Sequence, residues 1–295
     1  MTALIAAITF IFGLVCGSFI DTIAERWGQD TSILGRSHCN ACGYVLGWND
    51  LLPLISFLAL RGACRKCGTR IPRRHFFTEI LTGAVFMLLF IASPASRYIA
   101  VLDESSMAVF FIHFIVACII AGAILAIMFS DARFYIIPDS ISLPMTGFVL
   151  AYAAFLEYAV PRIASFSGFL EGVAPFSFRV VPSFPDAVAG SLVAAAFFFG
   201  ISFISKGQWM GWGDGKFALF LGALFGWPFI VTIIFTAFVL GSLAGIALIL
   251  RQRATMKSLL PFGVFLGISA LFFQIIENTH TGAMIRLFAT SFITL

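Results

Sequence analysis

The chain has 295 residues, of which 60% are hydrophobic and only 11% charged. A soluble domain carries about 25% charged residues, so this composition excludes an ordinary soluble enzyme and describes an integral membrane protein. The net charge of +4 arises from basic residues lying between apolar segments, which ties its sign to orientation in a membrane and not to nucleic acid.

Apolar runs long enough to cross a bilayer, about 20 residues at roughly 1.5 Å each, are predicted at 3–23, 76–92, 107–129, 141–158, 187–204, 228–250 and 260–276. A further run at 217–226 is too short to span unaided. It completes a crossing only if the glycine turn before it lies at membrane depth inside protein. Counting it, the expectation is an all-α polytopic membrane protein of about eight transmembrane helices with a small cytoplasmic zinc-binding loop domain. The first run has no basic leading region and no small-residue cleavage site, so it reads as a retained helix and not a signal peptide.

Eight crossings put both termini on one side of the membrane. Eight basic residues in the 24–75 loop, with Arg133, Lys206, Lys216, Arg251, Arg253 and Lys257, then share one face, and Arg97, Arg162, Arg179 and Arg286 share the other. The positive-inside rule makes the first face cytoplasmic and turns both termini outward. The chain divides accordingly into a first transmembrane helix (1–25), a cytoplasmic four-cysteine domain (26–75) and a membrane-embedded domain (76–295). The outward segment 159–185, with Pro161, Pro175, Pro182 and Pro185, reads as an interfacial loop or short surface helix.

Cys39-Asn40-Ala41-Cys42-Gly43 and Cys64-Arg65-Lys66-Cys67-Gly68 stand in the cytoplasmic loop. Two C-x-x-C pairs at this separation have the spacing of a tetrathiolate Zn²⁺ site, and each glycine suits a tight knuckle turn. Cys39, Cys42, Cys64 and Cys67 leave no open coordination position, so the zinc is expected to be structural and to fold a loop with little core of its own. His38 and His75 read as solvated or hydrogen-bonded side chains, and Cys16 and Cys118 as filler within apolar segments.

Gly211-Trp212-Gly213-Asp214-Gly215-Lys216 sets an aspartate among glycines just before an apolar run. An ionisable side chain at the edge of a membrane segment is a functional candidate, and the glycines let another backbone approach it. The plainer reading is an aspartate capping the next helix. A second aspartate, Asp131, ends the third apolar run, and topology puts both on the cytoplasmic boundary. Pro138 ends the helical reading near Arg133, and Asp139 is well placed to cap the fourth segment. Two carboxylates at contact distance share one proton, and such a pair activates water and protonates a leaving nitrogen, which is aspartic peptidase chemistry. Lys216 and Arg133 either keep one carboxylate ionised or meet lipid phosphates.

At these residues the sequence resembles the type IV prepilin leader peptidases, the bacterial branch of the GxGD membrane aspartyl proteases. The likeness covers nearly the whole chain: Gly17-Ser18-Phe19, the four cysteines, Glu79-Ile80-Leu81-Thr82-Gly83, the run from Asp131 to Asp139, Gly211 to Lys216, and Pro261-Phe262-Gly263. Val264 replaces a proline usual in the last element, and Asp21 an asparagine common in the first. The resemblance implies an inner-membrane enzyme that cleaves prepilin or pseudopilin leaders on the cytoplasmic side. It makes Asp131 and Asp214 catalytic, with Gly211, Gly213, Lys216, Arg133 and Asp139 in support. It further implies N-methylation of the new terminus by S-adenosylmethionine, for which no glycine-rich nucleotide fingerprint is visible. A GxGD protease cutting within the bilayer fits less well, because its Y-D pair is absent and no zinc cluster is expected. A non-enzymatic scaffold or transporter using buried acids as a proton relay is the reading of another class, against which both aspartates lie at segment ends.

Overall fold

In a bilayer, backbone N–H and C=O groups find no water, and helices satisfy them internally. The computed structural model, which describes residues 2–29, 35–93, 96, 104–159, 181–252, 255 and 258–277, is accordingly helical apart from two isolated antiparallel bridges. It divides into two compact units, Met1–Ile91 and Ala92–Leu295.

The first unit holds α1 (Thr2–Gly28), α2 (Ile55–Ala59) and most of α3 (Arg73–Ala92). Gly13 and Gly17 recur at one-turn spacing on α1 and meet α3 with almost no intervening side chain. A Cβ at Gly13 would lie 2.7 Å from the Gly83 Cα, and one at Gly17 would lie 2.9 Å from the Glu79 Cα. Small residues at this spacing let two membrane helices touch backbone to backbone.

The second unit contains α4 (Glu104–Phe134), α5 (Asp139–Ala154, running on as a π-turn through Ala159), α6 (Phe184–Ile204), α7 (Trp212–Phe225), α8 (Ile230–Leu250) and α9 (Phe262–Glu277). α6 and α7 form the tightest pair. Gly190 and Gly222 face each other so closely that a Cβ on Gly222 would stand 2.4 Å from the Gly190 carbonyl oxygen. The Ser191 hydroxyl donates to the Leu219 carbonyl at 2.9 Å across the same seam. α9 lies against α4, where Gly267 makes room for Met128 and the Gln274 amide donates to the Ala117 carbonyl.

Six of these helices are long and apolar enough to span a membrane: α1, α3, Met107–Phe134 of α4, Asp139–Ala159, α6 and α8. The chain is thus an all-α polytopic membrane protein. α7 has 14 residues and α9 has 16. At about 1.5 Å per residue both fall short of a hydrocarbon core of about 30 Å. Helix ends also differ from the apolar runs. α4 continues past the end of its apolar run at Phe129, through Asp131 and Arg133 to Phe134, because hydrogen bonding and not hydropathy sets where a helix stops. Asp131 therefore sits within α4 and not after it. Arg97, Arg162, Arg179, Arg253, Lys257, Arg286 and residues 160–180 of the 159–185 segment lie outside the described residues.

Candidate active site

Asp131 occupies the last turns of α4 and is 5% exposed. Its Oδ2 accepts the N–H of Val264 at 3.2 Å, in the first turn of α9. The first N–H groups of a helix have no partner of their own and carry its positive dipole end, so they suit a carboxylate. Gly263 permits the approach: a Cβ there would lie 2.8 Å from Asp131 Oδ2.

Asp214 lies in the first turn of α7, and its Oδ2 accepts the N–H of Gly211 at 3.2 Å. Asp214 is thus not itself the cap residue: Gly211 holds that place, and Asp214, the third helical residue, reaches back to its N–H. Burial, with the charge of Asp131 added to it, pushes the Asp214 carboxyl up to about 6. α7 is not one of the six spanning helices, and Asp214 stands at its very start. Ile137, in the link from α4 to α5, lies between the glycines beside the two acids. A Cβ at Gly213 would lie 3.0 Å from its Cβ, and one at Gly263 would lie 3.2 Å from its Cδ1.

The supporting residues are arranged otherwise than the sequence suggests. Lys216 Nζ donates to both oxygens of Asp139, at 2.7 and 2.6 Å, tying the first turn of α7 to that of α5. Asp139 does not cap its helix: Pro138 holds the cap position, and the carboxylate is turned to Lys216 instead of the helix N–H groups. The Arg133 guanidinium lies 5.9 Å from the centre of the Phe129 ring. Gly211 is the cap residue of α7, and Gly213 gives Ile137 its place. Spacing in the sequence pointed to neither Ile137 nor the Val264 N–H. The Pro261-Phe262-Gly263 resemblance was the one signal that α9's start mattered.

In the first unit, Cys39, Cys42, Cys64 and Cys67 hold their sulfurs within 4.8 Å of one another. Both loops turn alike. Gly43 N–H donates to the Cys39 carbonyl at 2.8 Å and Gly68 N–H to the Cys64 carbonyl at 2.9 Å, with φ of +68° and +70° at the two glycines. A tetrahedron with Zn–S bonds of about 2.3 Å has edges of about 3.8 Å. The Cys39 and Cys67 sulfurs are 3.8 Å apart, so the four thiols fit a zinc ion. Neither histidine belongs to the cluster.

Below these knuckles opens a cavity of about 680 Å³, lined from α1, the four-cysteine loop, α2 and the start of α3. Phe57 and Phe76, with ring centroids 5.3 Å apart, give it an aromatic wall. Glu79, 8% exposed, accepts the Leu54 N–H at 2.8 Å, and Glu25 pairs with Arg74 at 2.8 Å. His75 Nδ1 is hydrogen-bonded to Asp21. The lining thus combines two aromatic rings with carboxylates and a histidine.

The profile of the Bacterial Peptidase A24 N-terminal domain matches residues 11–93, and that of the Type IV leader peptidase family matches residues 118–246. Three similar proteins are each called prepilin leader peptidase/N-methyltransferase. The one from Bacillus subtilis (strain 168) is 30% identical, over 87% of this chain and 88% of its own length. The one from Burkholderia pseudomallei (strain K96243) is 26% identical, over 92% and 86%. The one from Myxococcus xanthus (strain DK1622) is 27% identical over 84% of this chain, which spans 64% of that relative's length. No solved structure matches. Profiles over both units and a likeness running nearly end to end make this chain a member of the type IV leader peptidase family.

Proposed function

We propose that the chain is a membrane aspartic endopeptidase that removes leader peptides from type IV prepilins and pseudopilins and then N-methylates the new terminus. What supports the cleavage reading is that two acids on different helices each stand beside a glycine packed against Ile137: Gly213 next to Asp214, and Gly263 against Asp131. Asp131 accepts an N–H at the start of α9 and Asp214 one at the start of α7, and burial together with the charge of Asp131 pushes the Asp214 carboxyl up. Between them the pair holds one proton. The ionised member takes a proton from water as it attacks the scissile carbonyl, and the other protonates the departing nitrogen. Lys216 and Asp139 fix the turn that presents Asp214, while Gly211, Gly213 and Arg133 shape its surroundings.

The remaining parts of the reading follow from this one. The apolar stretch 217–226 of α7, and α9, are taken as two further, shorter crossings, making eight, with Asp214 at the boundary before the first of them. Both termini then face outward, and the acids lie at the cytoplasmic edge of the inner membrane. Residues 1–25, 26–75 and 76–295 act as first helix, zinc-folded loop and protease domain. Zn²⁺ on Cys39, Cys42, Cys64 and Cys67 is structural. Phe57, Phe76 and Glu79 in the first unit's cavity would hold S-adenosylmethionine, which would supply an activated methyl group. The relatives' names support the methyl-transfer half.

The test of cleavage uses Asp131→Asn and Asp214→Asn, purified in detergent with a prepilin substrate. Each variant is expected to elute as folded protein and to leave the leader uncut. Leader removal at the normal rate in either variant defeats the reading.

A further inference from the structure

Three features of the first unit stand outside the proteolytic reading and meet in one cavity. Asp21 is 1% exposed, buried in α1, and its carboxylate is bonded to His75 Nδ1 at the start of α3. The His75 side chain is 31% exposed and lines the cavity. Its Nε2 has no hydrogen-bond partner among the described residues. A carboxylate on Nδ1 fixes the imidazole tautomer that carries its proton there, which leaves Nε2 as an acceptor. This is how a histidine is set up as a base.

The cavity's other acids are less available. Glu25 is paired with Arg74, and one Glu79 oxygen is taken by the Leu54 N–H. Of these groups, His75 alone joins a bare lone pair to a fixed orientation. The charged groups around it are Asp21 and Glu79, with the Glu25–Arg74 pair one turn beyond Asp21.

Methyl transfer to an amino terminus needs such a group. A free α-amine ordinarily titrates at about 7.7–8.0, so near neutrality most of it is an ammonium ion without a lone pair. We propose that His75, oriented by Asp21, is the base that frees the new α-amine of the cleaved pilin for methylation in this cavity. The proposal rests on the methyl-transfer half of the reading above. An N–H bond of the ammonium breaks and its proton passes to His75 Nε2. The nitrogen lone pair then forms a bond to the methyl carbon of a sulfonium donor. The carbon–sulfur bond breaks with its electron pair left on sulfur, giving a neutral thioether. His75 afterwards returns its proton to water. Asp21 is a positioning residue that also stabilises the charged imidazole.

The experiment uses the full chain in detergent, a pilin already lacking its leader, and S-adenosylmethionine, with methylation followed by mass spectrometry. His75→Gln keeps a group able to bond Asp21 but no base. Near pH 7 it is expected to slow methylation by about five- to tenfold, because roughly 10–17% of an α-amine is already unprotonated there without the base. Leader cleavage by the same sample, and S-adenosylmethionine binding by equilibrium dialysis, should stay within twofold of the parent. Raising the pH through about 8 should restore much of the lost rate, because solvent then deprotonates the amine. Asp21→Asn should slow methylation by at least about threefold and by no more than His75→Gln does, with the donor still bound.

Methylation by His75→Gln within threefold of the parent overturns the proposal, as does loss of donor binding and cleavage together, which marks a purely structural role. A parent protein that cleaves but transfers no methyl group overturns the underlying reading instead, and the base with it.

Discussion

Replacing Gly263 by alanine places a methyl group against the proposed catalytic pair while leaving every ionisable group in place. The new Cβ would sit 2.8 Å from Asp131 Oδ2, 3.1 Å from its Cγ and 3.2 Å from Ile137 Cδ1, where ordinary contact begins at 3.4 Å. The carboxylate must therefore retreat by about 0.6 Å, which carries its 3.2 Å bond to the Val264 N–H past about 3.5 Å, where little hydrogen bond is left. A hydrogen bond to a charged group contributes about 1.5–3 kcal/mol. Each 1.36 kcal/mol in the barrier is about tenfold in rate. A reacting group displaced by about 1 Å can alone cost about 10²-fold. The expected result is a kcat lower by about 30- to 100-fold with KM little changed, read from a quenched-fluorescence prepilin peptide in detergent. The fold should survive, since alanine's helical advantage of up to about 1 kcal/mol offsets part of an overpacking cost of about 1–3 kcal/mol. Gly147→Ala in α5 is the control. Nothing lies within 4 Å of a Cβ there, so it should leave kcat unchanged and raise Tm slightly. A Gly263→Ala enzyme within threefold of the parent kcat refutes the argument that Asp131 is held by the start of α9 for catalysis.

Because the Asp214 carboxyl is raised to about 6, a pair that must hold one proton loses it as pH climbs through that value. The kcat/KM profile for cleavage should therefore fall on its alkaline side near pH 6, and stability attributable to Asp214 should be full below about 4 and lost as pH rises through about 6. An Asp214→Asn protein whose Tm keeps the same slope across that window counts against the assignment. Lys216→Met breaks a partly exposed ion pair, so Tm should move by less than about 1 kcal/mol equivalent. Cleavage should drop by a larger factor, because the turn presenting Asp214 loses its tie to α5; equal losses in both point to a merely stabilising pair. Serine at any of Cys39, Cys42, Cys64 or Cys67 should reduce zinc content and yield together, checked by elemental analysis of the purified protein. Zinc near one per chain in such a variant contradicts the tetrathiolate site.

Local features were readable from the chain and distant ones were not. The two knuckles follow from cysteine spacing and a glycine in the left-handed region, and the helices from the length of apolar runs. Neither rule reports where a polar residue finds its partner. Lys216 meets Asp139 across 77 positions, His75 meets Asp21 across 54, and the Val264 N–H meets Asp131 across 133. Hydropathy placed Asp131 and Asp214 on one boundary but could not show that α9 begins against the first of them. The same limitation misassigned Asp139. An aspartate beside a proline reads locally as a cap, and only a lysine brought up by another helix turns its carboxylate elsewhere.

The bond from the Gly211 N–H to Asp214 gives one side chain two employments. An ionised carboxylate grips that N–H more firmly than a neutral acid does. In the proposed reaction the first turn of α7 should then slacken and tighten once per catalytic cycle, in step with the proton. This also decides how the residue is best probed. Asparagine keeps an oxygen to fasten the turn, whereas alanine would unpick the helix start and confuse lost chemistry with lost order.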